Sequence, residues 1–141
     1  MAGWLDGWRK RIVGGGPAPA QDRAGAGARA EDLAARMLSS RGLTVVARNV
    51  RCRGGEVDLI CLEGVSLVFV EVRLRSRQDF GGAAASIDRR KQGRVILAAR
   101  TWLAGPGRAH GHRPCRFDAV LLTDPEGRRM EWLRGAFEAD A

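Results

Sequence analysis

The sequence has no tyrosine and only two lysines, Lys10 and Lys91, among its 141 residues. Its four tryptophans and four phenylalanines form no array of the kind that stacks on the bases of single-stranded RNA. The three cysteines lack a CxxC spacing, which argues against a disulfide framework and indicates reduced thiols in a cytoplasmic protein. Long apolar runs and the apolar centre of a secretion signal are missing, so we expect no membrane partner.

Positive charge, in contrast, is abundant. The net charge is +8, and all but two of the 24 basic residues are arginine. Such an excess favours a polyanionic partner, most simply nucleic acid, although a GC-rich genome also raises the arginine content without a functional reason. Residues 71–100 hold eight basic and three acidic side chains. In this stretch we predict the residues that contact nucleic-acid phosphates: Arg75, Arg77, Arg89, Arg90 and Arg94.

The chain length fits one compact domain. Residues 1–24 are predicted to be a flexible N-terminal tail, because glycine and proline cluster at 14–19 without any apolar periodicity. Residues 25–138 are predicted to form the single domain.

Apolar periodicity within that domain predicts a helix, three strands, a second helix and two more strands, in the order α-β-β-β-α-β-β. This order indicates the α/β class, with a mixed β-sheet flanked by helices. The predicted bounds are 27–41 and 83–103 for the helices, and 44–51, 56–62, 67–75, 115–123 and a segment within 130–137 for the strands.

Charged residues stand out on the second and third strands, where they are costly unless they are paired or bind a metal. The short connector Glu63–Ser66 predicts a hairpin in which Leu62 pairs with Leu67. Counting outward from that pair places Asp58 opposite Glu71. Directly opposed side chains share a face of the sheet, with Cβ atoms about 4.5–5.5 Å apart.

Two carboxylates held this close repel each other, and a divalent cation between them removes the repulsion. Oxygen ligands alone suit Mg²⁺ or Mn²⁺. The alternative is a register slip of one residue, which would separate the acids. Glu56, which the same count places opposite Arg73, would be simply a partner in a cross-strand ion pair.

Three further groups allow two interpretations each. Glu31, near the start of the first helix, either favours the positive end of the helix dipole or reaches the acidic cluster. Asp118 shares a strand face with Arg116, either as a structural ion pair or in catalysis. The third group is a short loop cluster that either binds Zn²⁺ or is plainly exposed: His110, His112 and Cys115.

Several motifs resemble the YraN family of bacterial proteins, which belongs to the PD-(D/E)XK nuclease superfamily and is related to archaeal Holliday junction resolvases. The resemblance covers about residues 27–137. The matching segments are Ala30-Glu31, Gly55–Ile60, Val68–Arg73, Phe80-Gly81, Lys91, Cys115–Asp118, and Trp132 with Ala136 and Phe137.

The resemblance implies a restriction-endonuclease-like fold and a set of roles. Asp58 and Glu71 would be the metal-binding carboxylates, with the Val72 carbonyl as third ligand, and Glu31 would match an added helical acid. The general motif has lysine where this chain has Arg73, which stays protonated and cannot act as a base. Lys91 is the candidate to share that lysine's work.

The expected function is therefore a Mg²⁺- or Mn²⁺-dependent endonuclease acting on structured or duplex DNA. Resemblance to the junction enzymes implies a homodimer. The alternatives are a catalytically inactive nucleic-acid-binding protein on the same fold and a protein-interaction module with an arginine-rich surface.

Overall fold

The computed structural model describes residues 18–74, 87–124 and 126–139, with side chains described from residue 27 onward. Most of the segment expected to be a tail, and the predicted phosphate contacts Arg75 and Arg77, lie outside the described residues. No helix in the described part of the chain is long and apolar enough to cross a membrane.

The first helix, α1 (Ala18–Ser40), begins nine residues before the predicted start at residue 27. The predicted start was wrong, since alanine, the best helix former, recurs through the segment before it and extends the helix. The predicted end is confirmed. Gly42 has φ of 96°, and the Leu43 N–H donates to the Leu38 carbonyl at 3.1 Å, which closes the helix.

Five strands form one mixed sheet in the order β1-β2-β3-β4-β5, and the predicted α/β order of elements is confirmed. All neighbours are antiparallel except β3 and β4, which run parallel. A parallel pair needs a crossover connection, and the second helix, α2, lies on it. The strand bounds are β1 Thr44–Cys52, β2 Gly55–Glu63, β3 Ser66–Leu74, β4 Cys115–Leu122 and β5 Met130–Phe137.

The second helix, α2, spans Arg89–Ala104 and starts six residues later than predicted. Asp88 is its N-cap residue, and its carboxylate accepts a hydrogen bond from the Lys91 N–H at 2.8 Å. Asp88 was missed because the alanine-rich segment before it also reads as helix. The cap matters for the site because it places Lys91 in the first turn.

The sheet has an apolar core on each face. Phe69 belongs to the core under α2, together with Val95 and Trp102 of that helix. Val70 belongs to the core under α1, with Ala34 and Leu38. Because successive side chains of a strand point to opposite faces, each strand contributes to both cores. The acidic residues Glu56 and Asp58 of β2 and Glu71 of β3 therefore lie in a sheet that has a helix packed on each face.

Candidate functional site

The predicted hairpin register is confirmed from Leu59↔Val70 to Glu63↔Ser66, with Leu62 paired to Leu67. Beyond this ladder the next contact is made by a side chain, because the Val72 N–H donates to Asp58 Oδ2 at 2.8 Å. The Asp58 carboxyl is also close enough to Glu71 to act on it by hydrogen bonding and charge. The two carboxyl groups meet at the point where β2 and β3 stop pairing through their backbones.

Glu71 is almost completely buried, with 3% of its surface exposed. Lys91 Nζ lies 3.1 Å from Glu71 Oε2, yet this ion pair lacks hydrogen-bond geometry, and no described residue hydrogen-bonds that oxygen. Burial first, and then the Asp58 carboxyl, raise the pKa of Glu71 to about 10, against the opposing charge of Lys91. Burial and the neighbouring carboxyl therefore oppose ionisation of Glu71, whereas the Lys91 ammonium favours it.

Three basic side chains surround the Glu56 carboxylate at the site. Its carboxylate accepts a hydrogen bond from Lys91 Nζ at 2.8 Å and pairs with Arg51 at 2.9 Å and Arg94 at 3.6 Å. Burial acts to raise the pKa of Glu56, but the Lys91 hydrogen bond and the three cations outweigh it and hold that pKa below its usual value. The suggested Glu56–Arg73 pair was wrong, since the described ion pairs join Glu56 to other cations.

Gly55 allows α2 to approach this cluster. A Cβ atom at Gly55 would lie 2.4 Å from the Arg94 carbonyl oxygen and 3.0 Å from the Ala98 nitrogen. The helix backbone therefore packs directly on β2, and a side chain would push it away. This close approach brings Lys91 and Arg94 to Glu56, a role that the sequence pattern did not indicate.

Glu31 reaches the same region from α1, on the other side of the sheet. Burial first, and the Asp58 charge second, raise the pKa of Glu31 to about 8, while Arg48 acts in the opposite direction. The Asn49 amide lies against its carboxylate. Glu31 therefore lies near enough to Asp58 for the charge of one acid to act on the other.

Asp118 serves the fold and is not part of this cluster. Its two oxygens accept four hydrogen bonds: two from the Arg116 guanidinium, one from Trp132 Nε1 and one from the Gly135 N–H, all at 2.8–2.9 Å. A carboxylate with four donors has no free lone pair to offer a ligand. The structural interpretation of Asp118 is therefore supported.

The predicted basic residues that the structure describes divide into two groups. Arg94 lies at the cluster through Glu56, at 3.6 Å. Arg73, Arg89 and Arg90 are exposed on β3 and α2, near the ends of those elements that carry the site.

Among described residues, no three His, Cys, Asp or Glu side chains converge on one point, so the zinc interpretation of the His110, His112 and Cys115 loop gains no support. His110 instead accepts from Arg113 at 3.1 Å and stacks on Trp102.

Comparison with known proteins gives the family. Residues 30–122 match the uncharacterised protein family UPF0102, a segment that includes every acid of the site. The chain is 54% identical over 114 residues to a UPF0102 protein of Dechloromonas aromatica, covering 81% of this chain and 89% of the relative. It is 55% identical over 116 residues to one of Cupriavidus taiwanensis, covering 82% and 84%.

A UPF0102 protein of Yersinia pseudotuberculosis is 52% identical over 114 residues, covering 81% of this chain and 95% of the relative. These matches span nearly all of the described fold and confirm the family expected from the motifs. The chain belongs to the uncharacterised protein family UPF0102, the YraN family.

Proposed function

We propose that the protein is a metal-dependent endonuclease that hydrolyses phosphodiester bonds in structured or duplex DNA, on a restriction-endonuclease-like fold. The observation that carries the proposal is the pair of neighbouring carboxyl groups, Asp58 and Glu71, with a buried oxygen of Glu71 left without a hydrogen bond. An unsatisfied buried polar group costs about 1–3 kcal/mol of stability. Acids kept in this state are typical of functional sites, where ligand binding repays the cost.

The donor atoms at the pair suit Mg²⁺ or Mn²⁺. Carboxylate and carbonyl oxygens are hard ligands, and the buried Glu71 Oε2 accepts no hydrogen bond from a described residue, although Lys91 pairs with it at 3.1 Å. The Val72 carbonyl is the proposed third ligand. The N–H and C=O of one strand residue point toward the same neighbouring strand, and the Val72 N–H points at Asp58. A cation bound there would lower the pKa of a water molecule and neutralise the phosphodiester.

The surrounding side chains have separate roles in this proposal. Lys91, whose ammonium lies 3.1 Å from Glu71 Oε2, offsets the negative charge that develops on a bound phosphate. Glu31 orients a water molecule next to Asp58 through its carboxyl oxygens. Arg73 stays protonated and binds a phosphate oxygen from its exposed position on β3.

DNA binding in this proposal comes from the sugar–phosphate backbone. Arg89 and Arg90 occupy the first turn of α2, and Arg94 follows one turn later, on the helix that also carries Lys91. Arg75 and Arg77 join them from the sequence prediction. Contacts to phosphate give an affinity that falls steeply with salt and depends little on base sequence.

A cytoplasmic location and a homodimer belong to the same proposal. Cys52, Cys61 and Cys115 are free thiols, the state that a reducing compartment maintains. The homodimer rests on the resemblance to junction resolvases. Analytical ultracentrifugation with and without branched DNA tests it.

A second candidate is a catalytically inactive nucleic-acid-binding protein on the same fold. Two observations favour it. The described residues hold no group of three side chains of the acidic, His or Cys type around one point. In addition, the residue two positions after Glu71 is Arg73, which cannot accept a proton. Such a protein would bind DNA without cutting it.

The experiment that separates the two candidates starts with Mn²⁺ binding, measured by calorimetry. The wild type is compared with Asp58→Ala, Glu71→Ala and the double variant. Asp32→Ala is the matched control, because Asp32 is an exposed acid that pairs with Arg48 on the surface. We expect saturable binding by the wild type and the control, and none by the double variant.

Branched, nicked and duplex DNA are then incubated with Mg²⁺ or Mn²⁺ and each protein. Both single variants should lose cleavage and keep DNA binding, since each removes a proposed metal ligand and leaves the basic side chains that bind phosphate in place. Cleavage that survives both changes would refute the assignment of the site. DNA binding by a wild type that neither binds the metal nor cleaves would favour the inactive candidate.

A further inference from the structure

Asn49, on β1, has an unusual backbone conformation. Its φ is 51°, and among the described residues it is the only one other than glycine with a positive φ. This region costs an ordinary residue about 1–2 kcal/mol, and asparagine is one of the few side chains that tolerate it. Strain of this kind persists where the surrounding structure requires it, often at functional sites.

The position of Asn49 in the sheet connects it to Asp58. Arg48 pairs with Leu59, and Val50 pairs with Val57, so the row between them has Asn49 opposite Asp58. At this row the regular alternation of side chains between the two faces of the sheet is interrupted. Ala47 and Val50, three residues apart, both pack in the core under α2, although a regular strand returns to one face every second residue.

The side chain of Asn49 contacts Glu31 of α1. Oriented so that donor meets acceptor, its amide group donates to both oxygens of Glu31, with a distance of 3.2 Å to Oε2. The neighbouring cation, Arg48, pairs with Asp32 at 2.6 Å and acts on Glu31 only through its charge. The group that holds the Glu31 carboxyl by hydrogen bonds is thus the neutral Asn49 amide.

We propose that Asn49 is a positioning residue that holds the Glu31 carboxyl next to Asp58. The left-handed backbone at Asn49 turns the strand at the row of Asp58, and the amide then fixes Glu31, which would otherwise be repelled by the second acid. This inference rests on the proposed function for its metal-binding consequence, and on the described contacts alone for the positioning itself.

Two variants separate the side chain from the backbone. Asn49→Gly removes the amide and keeps the positive φ without strain, whereas Asn49→Ala removes the amide and adds strain. If Asn49 positions Glu31, both variants lose the same fraction of Mn²⁺ affinity, while only Asn49→Ala lowers the melting temperature clearly. A purely structural role predicts instead that Asn49→Gly keeps the full affinity.

The expected loss of Mn²⁺ affinity is on the order of 10-fold, the lower end of what removal of a residue that orients a ligand typically costs. It is measured by calorimetry in a wild-type and in a Glu31→Ala background. Asn49→Gly should have no further effect once Glu31 is absent. Losses that multiply in the double variant would overturn the inference, because Asn49 would then act independently of Glu31.

A metal-free measurement keeps this test separate from the proposed function. The side-chain amide signals of Asn49 in a ¹⁵N spectrum are identified by their absence in Asn49→Gly. They should shift in Glu31→Ala, where the acceptor is missing. Unchanged signals overturn the positioning role whatever the metal does. A shift in a protein that binds no Mn²⁺ supports the positioning and refutes the metal-dependent function.

Discussion

Asp118 and Glu71 are the two charged residues that are buried in the described part of the chain, and they lie on opposite faces of one sheet. Asp118 is 0% exposed and accepts four hydrogen bonds. Glu71 is 3% exposed, has an oxygen without a hydrogen bond from any described residue, and has Asp58 as a neighbour. The protein fills the hydrogen-bond sites of one carboxylate, whereas the buried oxygen of the other has only an ion pair with Lys91.

The two carboxylates also differ in where their partners come from. The donors to Asp118 belong to β4 and β5, neighbouring strands that also bury it between them. The partners of Glu71 come from β2 and from α2, which packs on the sheet through Gly55. Strand pairing alone completes the first cluster, whereas the second needs a docked helix. Three substitutions test this difference.

Asp118→Asn should have the largest effect. Each Asp118 oxygen accepts from Arg116 and from one further donor, the Gly135 N–H at Oδ1 or Trp132 Nε1 at Oδ2, so two donors lose their acceptor whichever oxygen the amide group replaces. Breaking a buried charge network in this way costs about 3–5 kcal/mol. Urea unfolding followed by tryptophan fluorescence measures the loss.

The control for Asp118→Asn is Asp32→Asn, which changes the charge of an exposed pair and should cost no more than about 1 kcal/mol. Equal effects of the two substitutions would show that the Asp118 network adds nothing beyond a surface ion pair.

Gly55→Ala should have an intermediate effect, confined to the Glu71 cluster. The new Cβ would overlap the Arg94 carbonyl, so α2 must shift, at a cost of about 1–3 kcal/mol. Lys91 should move away from Glu56 and Glu71. The Trp132 Nε1–H signal in an NMR spectrum should stay in place, because its partner Asp118 does not depend on α2.

A matched control is Gly93→Ala, since a Cβ at Gly93, on the same helix, meets nothing within 4 Å. It should raise stability slightly, because alanine is the better helix former. A Trp132 signal that moved in Gly55→Ala would contradict the independence of the two clusters.

Glu71→Gln should stabilise the metal-free protein at pH 8, the opposite sign to Asp118→Asn. The pKa of Glu71 is raised from 4.5 to about 10. Between these two pH values the folded protein holds a proton on Glu71 that the unfolded chain releases. Stability therefore falls as pH rises through this window, with a slope of up to about 1.4 kcal/mol per pH unit. Glutamine does not titrate and removes this contribution.

The measurement is the free energy of unfolding at pH 6, 7, 8 and 9 in the presence of a chelator. The difference between Glu71→Gln and the wild type should grow with pH, by up to about 1.4 kcal/mol for each pH unit. A constant difference across this range would mean that Glu71 ionises normally in the folded protein.

The sequence was enough to predict the order of the helices and strands and, within the site, the meeting of Asp58 with Glu71. Strand alternation and a short connector, both local properties, gave the pairing of Leu62 with Leu67 and so the meeting of Asp58 with Glu71. The helix starts were less predictable. Alanine-rich sequence at 18–28 and 83–85 favours helix in both places, whereas the helices themselves begin at Ala18 and, after the N-cap Asp88, at Arg89.

What the sequence by itself determined is therefore the order of elements and the hairpin that joins two acids, because both follow from patterns of two to four residues. Only the tertiary structure decided which charges meet those acids. Lys91 pairs with Glu56 from a helix 35 positions away, and Asn49 meets Glu31 because its left-handed backbone turns β1 at one row. Such contacts depend on how closely the helices pack on the sheet, which no local pattern records.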